Sequence, residues 1–495
     1  MPPVRSPLFL ALVETDKTVG AISEDAASAF FGQFSLQDLF SEFASPALSD
    51  ADLWLATSVL SRLLHTRTGS ALLPGALPYL ESASDSPRPL LRKLAVKQYG
   101  ALLAGGGVDG VEEAALAQLA EALGDIDTGV SSDAEAVLVA WAARGPARAA
   151  RLLGYVTGAG DGDRVAGALR AMADGADATH RMRVLSLLVG VGTRGGGGAA
   201  VARSGALQAL LTRELSSAPS DPLSALSALT MVSEMAQAWV SPPGGSRGGR
   251  DQGGAGAGGT GGSGGDCAVA GALAAAVAGP LPALVGEAAL RPVALRCAAL
   301  LLRTALDESG AGGSGGGEPM DVDSSGGGGG GAEALSGALM VAIFTQLDEA
   351  GDASAEDEAA TLDAVAELCH SRAGAMLLLS HATLPGLVAQ RAFGRTTPSP
   401  DVRLAACHAL ASLSGVERAH DWHEAAAAAL PAAAEAALRA AVYSGVAAGG
   451  AAARTPADAL ASVLSLPWPE QRAAAYRAAS GLALRPWYAS ELARR

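Results

Sequence analysis

The chain has 495 residues, is 49% hydrophobic but only 4% aromatic, and carries a formal net charge of −15. That acidity argues against DNA or RNA as a main ligand, because nucleic-acid binding rests on clustered Lys and Arg that neutralise phosphates. It suits protein partners of basic or mixed charge. Abundant Ala and Leu favour helices, and the shortage of aromatic residues argues against a β-rich fold.

Taken in chain order, residues 7–13 form a short apolar run that meets Glu14 and Asp16 at once, which reads as a first helix and not a targeting segment. No stretch of about 20 uninterrupted apolar residues follows. The longest candidate, 273–290, is broken by Pro280, Pro282 and Glu287. Instead one pattern recurs: a helix led by small residues, a polar loop, then a strongly apolar second helix. First helices are marked by Gly75–Leu80, Ser204–Leu211 and Ala382–Val388. Second helices are predicted to begin near Pro89, Asp133, Arg181, Pro222, Arg291, Glu358, Asp401 and Glu470.

These second helices carry a period of about 3.6. Leu91, Leu94, Ala95, Tyr99, Leu102 and Leu103 share one face, as do Leu362, Val365, Ala366 and Cys369, and Val402, Ala405, Ala409, Leu410 and Leu413. The stretch 181–191 is apolar nearly all round and needs burial on several sides. Between Leu94, Val137, Val184, Leu226, Val293, Leu362, Leu404 and Ala474 the steps are 43, 47, 42, 67, 69, 42 and 70 residues. Four sit near the armadillo/HEAT period of about 42. The steps of 67 and 69 each hold a Gly-rich insert, at 244–265 and 310–331. The last holds an Ala-rich stretch, 424–441, readable as a degenerate helix pair.

The expected fold is therefore all-α: an armadillo/HEAT-type α-solenoid superhelix over residues 1–495, with about 8–10 helical repeats and two disordered Gly-rich surface loops. Low-complexity Gly/Ser tracts bury too little apolar surface to offset the entropy of ordering. The second insert carries an acidic island, Glu318 to Ser325, a spacer or a short recognition segment.

Motifs that look chemical dissolve on inspection. Gly190-x-Gly192-x-x-Gly195 spells a dinucleotide fingerprint but lacks the preceding strand. The G-x-S-x-G spellings at 261–265 and 312–316 lie in the Gly tracts, where no strained strand-to-helix turn can form. Cys369-His370 and Cys407-His408 are adjacent pairs on second helices, and neighbours on a helix point about 100° apart. The thiols read as core. A zinc site would need four convergent ligands. Cys267 and Cys297 complete the set of cysteines, and no C-x-x-C pair exists, so a disulfide framework is not expected and a reducing compartment fits. His420 and His423 could share a helical face, and a capped helix start at Asp421 explains them equally well. No catalytic, cofactor or metal site is expected, and the chain reads as a non-enzyme.

Arg88, Arg92, Lys93 and Lys97 form the one strip containing Lys besides Lys17. A solvated face is the plain reading; contact with an acidic partner surface is the functional one, and these four are the candidate partner-binding residues. The acidic run Asp348, Glu349, Asp352, Glu356, Asp357 and Glu358 reads as a solvated loop first and a docking patch second.

Towards the C-terminus, Ser465-Leu-Pro467-Trp468-Pro469-Glu470, an apolar helix, and Pro486-Trp487 follow one another. This segment resembles the last repeat of the 26S proteasome non-ATPase regulatory subunit 5 family. Leu53 to Leu103 and Ala360 to Ser380 are similar to its early and middle repeats in helix order. The resemblance implies an assembly chaperone for the base of the proteasome regulatory particle. Such a chaperone binds a proteasomal ATPase subunit in the concave solenoid surface, without cofactors or catalytic residues. Pro467, Trp468, Pro469, Pro486 and Trp487 match the family pattern in positions that pack the last repeat. The Gly-rich inserts and the Ala-rich stretch depart from it. The alternative is a generic armadillo-repeat scaffold or adaptor. A nuclear-import adaptor would show regularly spaced Trp and Asn, and Trp54, Trp141, Trp239, Trp422, Trp468 and Trp487 form no such ladder. Either way the expectation is a chain without nucleic-acid or membrane partners, monomeric when free, in the cytoplasm with the nucleus as a second compartment.

Overall fold

In a computed structural model of the chain, the described residues are 6–17, 21–46, 48–105, 109–157, 164–193, 200–201, 204–240, 263–311, 329–348, 354–394, 399–419, 429–448 and 455–494. Among them there are helices and no strand. The chain clusters into two compact units, Met1–Ala206 and Leu207–Arg495. Among the described residues, nine second helices serve as inner helices. The first unit holds α1 (Asp50–Leu64), α2 (Pro89–Ala104), α3 (Thr128–Ala142) and α4 (Ala178–Thr193). The second holds α5 (Pro222–Val240), α6 (Arg291–Ala311), α7 (Ala355–Cys369), α8 (Pro400–Ser414) and α9 (Pro469–Ala483).

Within each unit every inner helix packs on the next, α1 on α2 through to α4, and α5 on α6 through to α9. A second layer lies behind them. Asp109–Leu123 packs on Arg164–Asp174 in the first unit; Ser263–Ala278 packs on Gly329–Asp348, and Leu384–Phe393 on Ala432–Ala448, in the second. Two stacked layers of helices, each burying its apolar stripe against its neighbours, make an armadillo/HEAT-type α-solenoid.

Local chemistry explains where the helices start. Ser49, Asp127, Ser354, Ser399 and Thr455 each accept from a backbone N–H of the first turn. Pro89, Pro400, Pro456, Pro469 and Pro486 occupy the first helical position, where a missing N–H costs nothing. Pro222 and Arg291 begin helices at the expected residues, whereas α3 and α4 start earlier than expected, at Thr128 and Ala178. For α3 the reason is the Asp127 carboxylate, which caps the N–H groups of Gly129 and Val130.

Partly and fully buried arginines fasten one repeat to the next. Arg92 grips Asp125 through Nε and Nη2 at 2.6 and 2.9 Å. Arg391 pairs with Glu358 and donates to the Leu347 carbonyl at 2.9 Å. Arg418 donates to the carbonyls of Cys369, Ser412 and Leu413. Arg485, 1% exposed, pairs with Glu435 at 3.1 Å. Carbonyls at helix ends have no intrahelical donor, and a guanidinium with five donors supplies several at once.

The acidic run at 348–358 is therefore not a solvated loop at its C-terminal end. Glu358 is 2% exposed against Arg391, and Asp357 pairs with Arg291 while accepting the Ser354 cap. Gly190 and Gly192 lie inside α4. A Cβ on Gly190 would come 2.8 Å from Val139 Cγ2 of α3, so close helix packing accounts for the glycine. The edges of both Gly-rich inserts are helical: Ser263 opens Ser263–Ala278, α6 runs to Ala311, and Gly329 opens Gly329–Asp348. The rest of both inserts, the acidic island, and residues 420–428 with their two histidines lie outside the described residues. Of the Ala-rich stretch, residues from Ala432 onward form one helix to Ala448.

Among the described residues one helix, Gly330–Asp348, is long and apolar enough to cross a membrane. Its Leu335, Leu339, Ile343 and Leu347 are buried, and it packs on Ser263–Ala278. The last repeat closes on Trp487, which donates to Glu435 at 2.8 Å and stands 5.9 Å from the Tyr443 ring. Trp468 is different: it is 58% exposed and does not pack the repeat.

Close helix packing in the second unit depends on Gly445, whose added Cβ would meet the Ala389 backbone at 2.6 Å. Gly445→Ala is expected to destabilise the protein by about 1–3 kcal/mol through overpacking. Gly337→Ala, in a helix with nothing within 4 Å of the new Cβ, should stabilise by about 0.5–1 kcal/mol. Urea unfolding of the two variants checks the opposite signs.

Candidate protein-binding groove

Five inner helices of the second unit present side chains to one open concavity of about 980 Å³. Helical spacing puts them there. Thr230, Ser233, Glu234 and Gln237 share a face of α5; Val293, Arg296 and Leu300 share one of α6; Ala360, Asp363, Ala366, Glu367 and His370 share one of α7. His408 of α8 and Arg477 of α9 complete the wall. Pro292, Val293, Leu300, Ala360 and Ala366 give it an apolar floor. Inner helices 8–10 Å apart make a groove of roughly 30–40 Å across five of them.

Its far half is crossed by a chain of charges. Arg303 pairs with Glu367 at 2.5 Å and places Nη1 3.0 Å from His370 Nδ1. A guanidinium only donates, so Nδ1 of His370 accepts. The other ring nitrogen lies 3.9 Å from Glu417, which in turn pairs with Arg477. Arg477 Nη1 donates to His408 Nδ1 at 2.9 Å. Burial alone would raise the Glu367 carboxyl, but His370 and Arg303 outweigh it and hold the group below its ordinary value. Burial, reinforced by the Arg477 charge, lowers the His408 pKa despite the opposing Glu417.

The near half is less committed. Asp363 is pushed above the ordinary carboxylate value by the surrounding protein, partly offset by Arg296. Among the described residues, Glu234, Arg296 and Asp363 make no hydrogen bond or ion pair.

The Cys-His pairs divide as helical geometry requires. Cys369 and Cys407 point into the core, where burial pushes each thiol up to about 12. His370 and His408 face the groove. Among the described residues no group of His, Cys, Asp and Glu could hold a metal ion. These histidines, with Glu367 and Arg477, are groove residues that the sequence reading missed, and Arg303 and Glu417 hold them from behind. Their signal was present: a polar residue facing away from each core thiol.

The basic strip lies in the first unit and is not one surface. Arg88 is held by the Leu48 carbonyl and Asp50, Arg92 by Asp125, and Lys93 by Asp127 at 3.2 Å. Lys97 alone is exposed, beside a smaller cavity of about 390 Å³.

Among solved structures, the chain is similar to an engineered protein, at 14% identity over 96% of this chain and 99% of that one, with a TM-score of 0.38. It is also similar to Kap121p, at 11% identity, 99% and 50% coverage and a TM-score of 0.44. For importin beta the values are 12% identity, 97% and 62% coverage, and 0.33. The chain spans about half the length of Kap121p. No family model matches the sequence, and no curated protein matches it.

The lowered His408 pKa sets a sign for acid sensitivity. The unfolded chain takes up this proton near the ordinary value of 6.5 and the folded chain only below it. Stability from this group is therefore complete above about pH 7 and is lost as pH falls through 6.5. His408→Gln keeps an acceptor for Arg477 and cannot titrate. Its urea midpoint should fall less between pH 7.5 and 5.5 than that of the parent; an equal fall refutes the assignment.

Proposed function

We propose that this chain is a protein-binding scaffold whose partner docks in the groove of the second unit, and that it is not an enzyme. The observation carrying this reading is the groove itself: five consecutive inner helices, an apolar floor, and polar side chains tied into structural ion pairs. A length of roughly 30–40 Å accepts about ten extended residues or a helix of about 20–25. Surface of this kind fits a peptide or helix face better than a small substrate.

The finer reading is an assembly chaperone for the base of the proteasome regulatory particle, holding an ATPase subunit, in the cytoplasm and nucleus. It is supported by the resemblance of the segment from Ser465 to Trp487 to the last repeat of the proteasome non-ATPase subunit 5 family. The described structure is compatible with that segment closing a terminal repeat, through Trp487, Arg485 and Glu435. The coarser reading, a helical-repeat scaffold for other protein partners, rests on the fold and the groove alone.

Both readings are tested by affinity capture from cell extract with the full chain and with Ala366→Trp, which fills the floor from a partly exposed position. Base ATPase subunits recovered by the parent and reduced at least tenfold by Ala366→Trp support the chaperone. Other proteins lost in the same way leave only the scaffold reading. Proteins recovered equally by both chains defeat the groove.

A further inference from the structure

The first unit holds a second concavity, of about 390 Å³, whose chemistry differs from that of the groove. Its ionisable lining residues are His65, Lys97 and Arg144, all basic, and no carboxylate lines it among the described residues. In an acidic chain with three lysines, two cations and an imidazole around one cavity without a lining carboxylate are unusual. Cationic groups in such chains are normally neutralised from within, as Arg88, Arg92 and Lys93 are one and two turns earlier on the same helix.

Each of the three is placed by the fold. Arg144 donates through Nη1 to the Leu103 and Ala104 carbonyls at 2.6 and 3.2 Å, capping the end of α2 and fixing the guanidinium at the rim. His65 Nδ1 lies 2.6 Å from the Ser61 carbonyl, which can only accept, so Nδ1 carries a proton and Nε2 is the nitrogen left for other contacts. Lys97 is exposed and makes no ion pair among the described residues. The remaining wall is apolar: Leu103, Val137, Ala140 and Trp141. The Trp141 indole is 1% exposed, is faced by the guanidinium carbons of Arg148 and Arg151 at 5.7 and 5.9 Å, and its Nε1 finds no acceptor among the described residues.

The geometry points to this cavity as a docking site for an acidic peptide segment of a partner protein, one that offers an Asp or Glu carboxylate beside an aliphatic side chain. Charge complementarity selects the acid, and the apolar wall selects its neighbour. The site is separate from the groove of the second unit, so it stands or falls independently of the function proposed above. A carboxylate is the better match than a phosphate. Phosphate sites use several backbone N–H groups or a bidentate arginine fork; here Arg144 already gives Nη1 to the α2 carbonyls.

The test is fluorescence anisotropy with the full chain and three labelled ten-residue peptides. One carries two Glu flanking a Leu; in the second both are Gln; in the third they are phosphoserine. The acidic peptide is expected to bind, with an affinity that falls as salt rises, and the Gln peptide to bind at least tenfold more weakly. Lys97→Gln should weaken the acidic peptide about fivefold, and Lys97→Arg should restore it. Ala140→Glu, at an exposed helical position on the wall, should abolish binding by supplying the carboxylate internally. Thermal melts of these variants should match the parent. Equal binding of the Glu and Gln peptides, or no change in Lys97→Gln, overturns the proposal. Preference for the phosphoserine peptide overturns its assignment to carboxylates.

Discussion

What the structure depends on is the joint between one helix pair and the next. An amphipathic pair cannot bury its apolar stripe alone, so the next pair must approach closely enough to cover it. Close approach brings helix ends, with their orphan carbonyls, into the interior. The chain meets this with arginines set into the joints. Arg418 serves four carbonyls, Arg391 serves one carbonyl and Glu358, and the buried Arg485 joins Glu435, which also receives Trp487. Removing one member of such a buried pair leaves an uncompensated charge, at about 3–5 kcal/mol. Small residues do the complementary work: Gly445 and Gly481 let backbones meet where a Cβ would hold them apart, and Gly190 makes room for the Val139 side chain.

Much of this was legible in the sequence because the signals were local. The period of about 42 and the apolar faces of α2, α7 and α8 follow from side-chain spacing, which a helix converts directly into a buried stripe. Pro222 and Arg291 mark true starts. Cys369 and Cys407 read as core thiols and are core thiols. What was not legible depends on residues far apart in the chain. Glu358 looks like one acid in a solvated run until Arg391, 33 residues on, is seen against it. Arg92 and Lys93 look like an open basic face until Asp125 and Asp127 arrive from the next repeat. Sequence shows the charges; only the fold shows which of them are already neutralised.

The same distinction separates the two concave surfaces. In the groove of the second unit, His370, His408, Glu367, Glu417, Arg303 and Arg477 are linked into one chain of contacts, so these polar groups rigidify the wall. The groups left for contact there are the apolar floor and Glu234, Arg296 and Asp363. In the cavity of the first unit the balance is reversed, because Lys97 has no internal counter-charge among the described residues.

The Cys-His dipeptides show how one short sequence can serve both structure and surface. Successive helical residues diverge by about 100°, so a buried thiol at 369 or 407 obliges the next side chain to leave the core. On an inner helix the direction out of the core is the groove. The imidazole then meets an arginine from a neighbouring element, Arg303 for His370 and Arg477 for His408. The thiol sets the depth of the helix in the stack, and its neighbour sets the charge of the wall. The two pairs are not equivalent positions of the repeat, since Cys369 lies seven residues past Leu362 and Cys407 three past Leu404; the offset of four residues is about one turn, so both pairs keep the same helix face. A substitution at Cys369 or Cys407 that shifted its helix would therefore displace a wall residue without touching the groove directly.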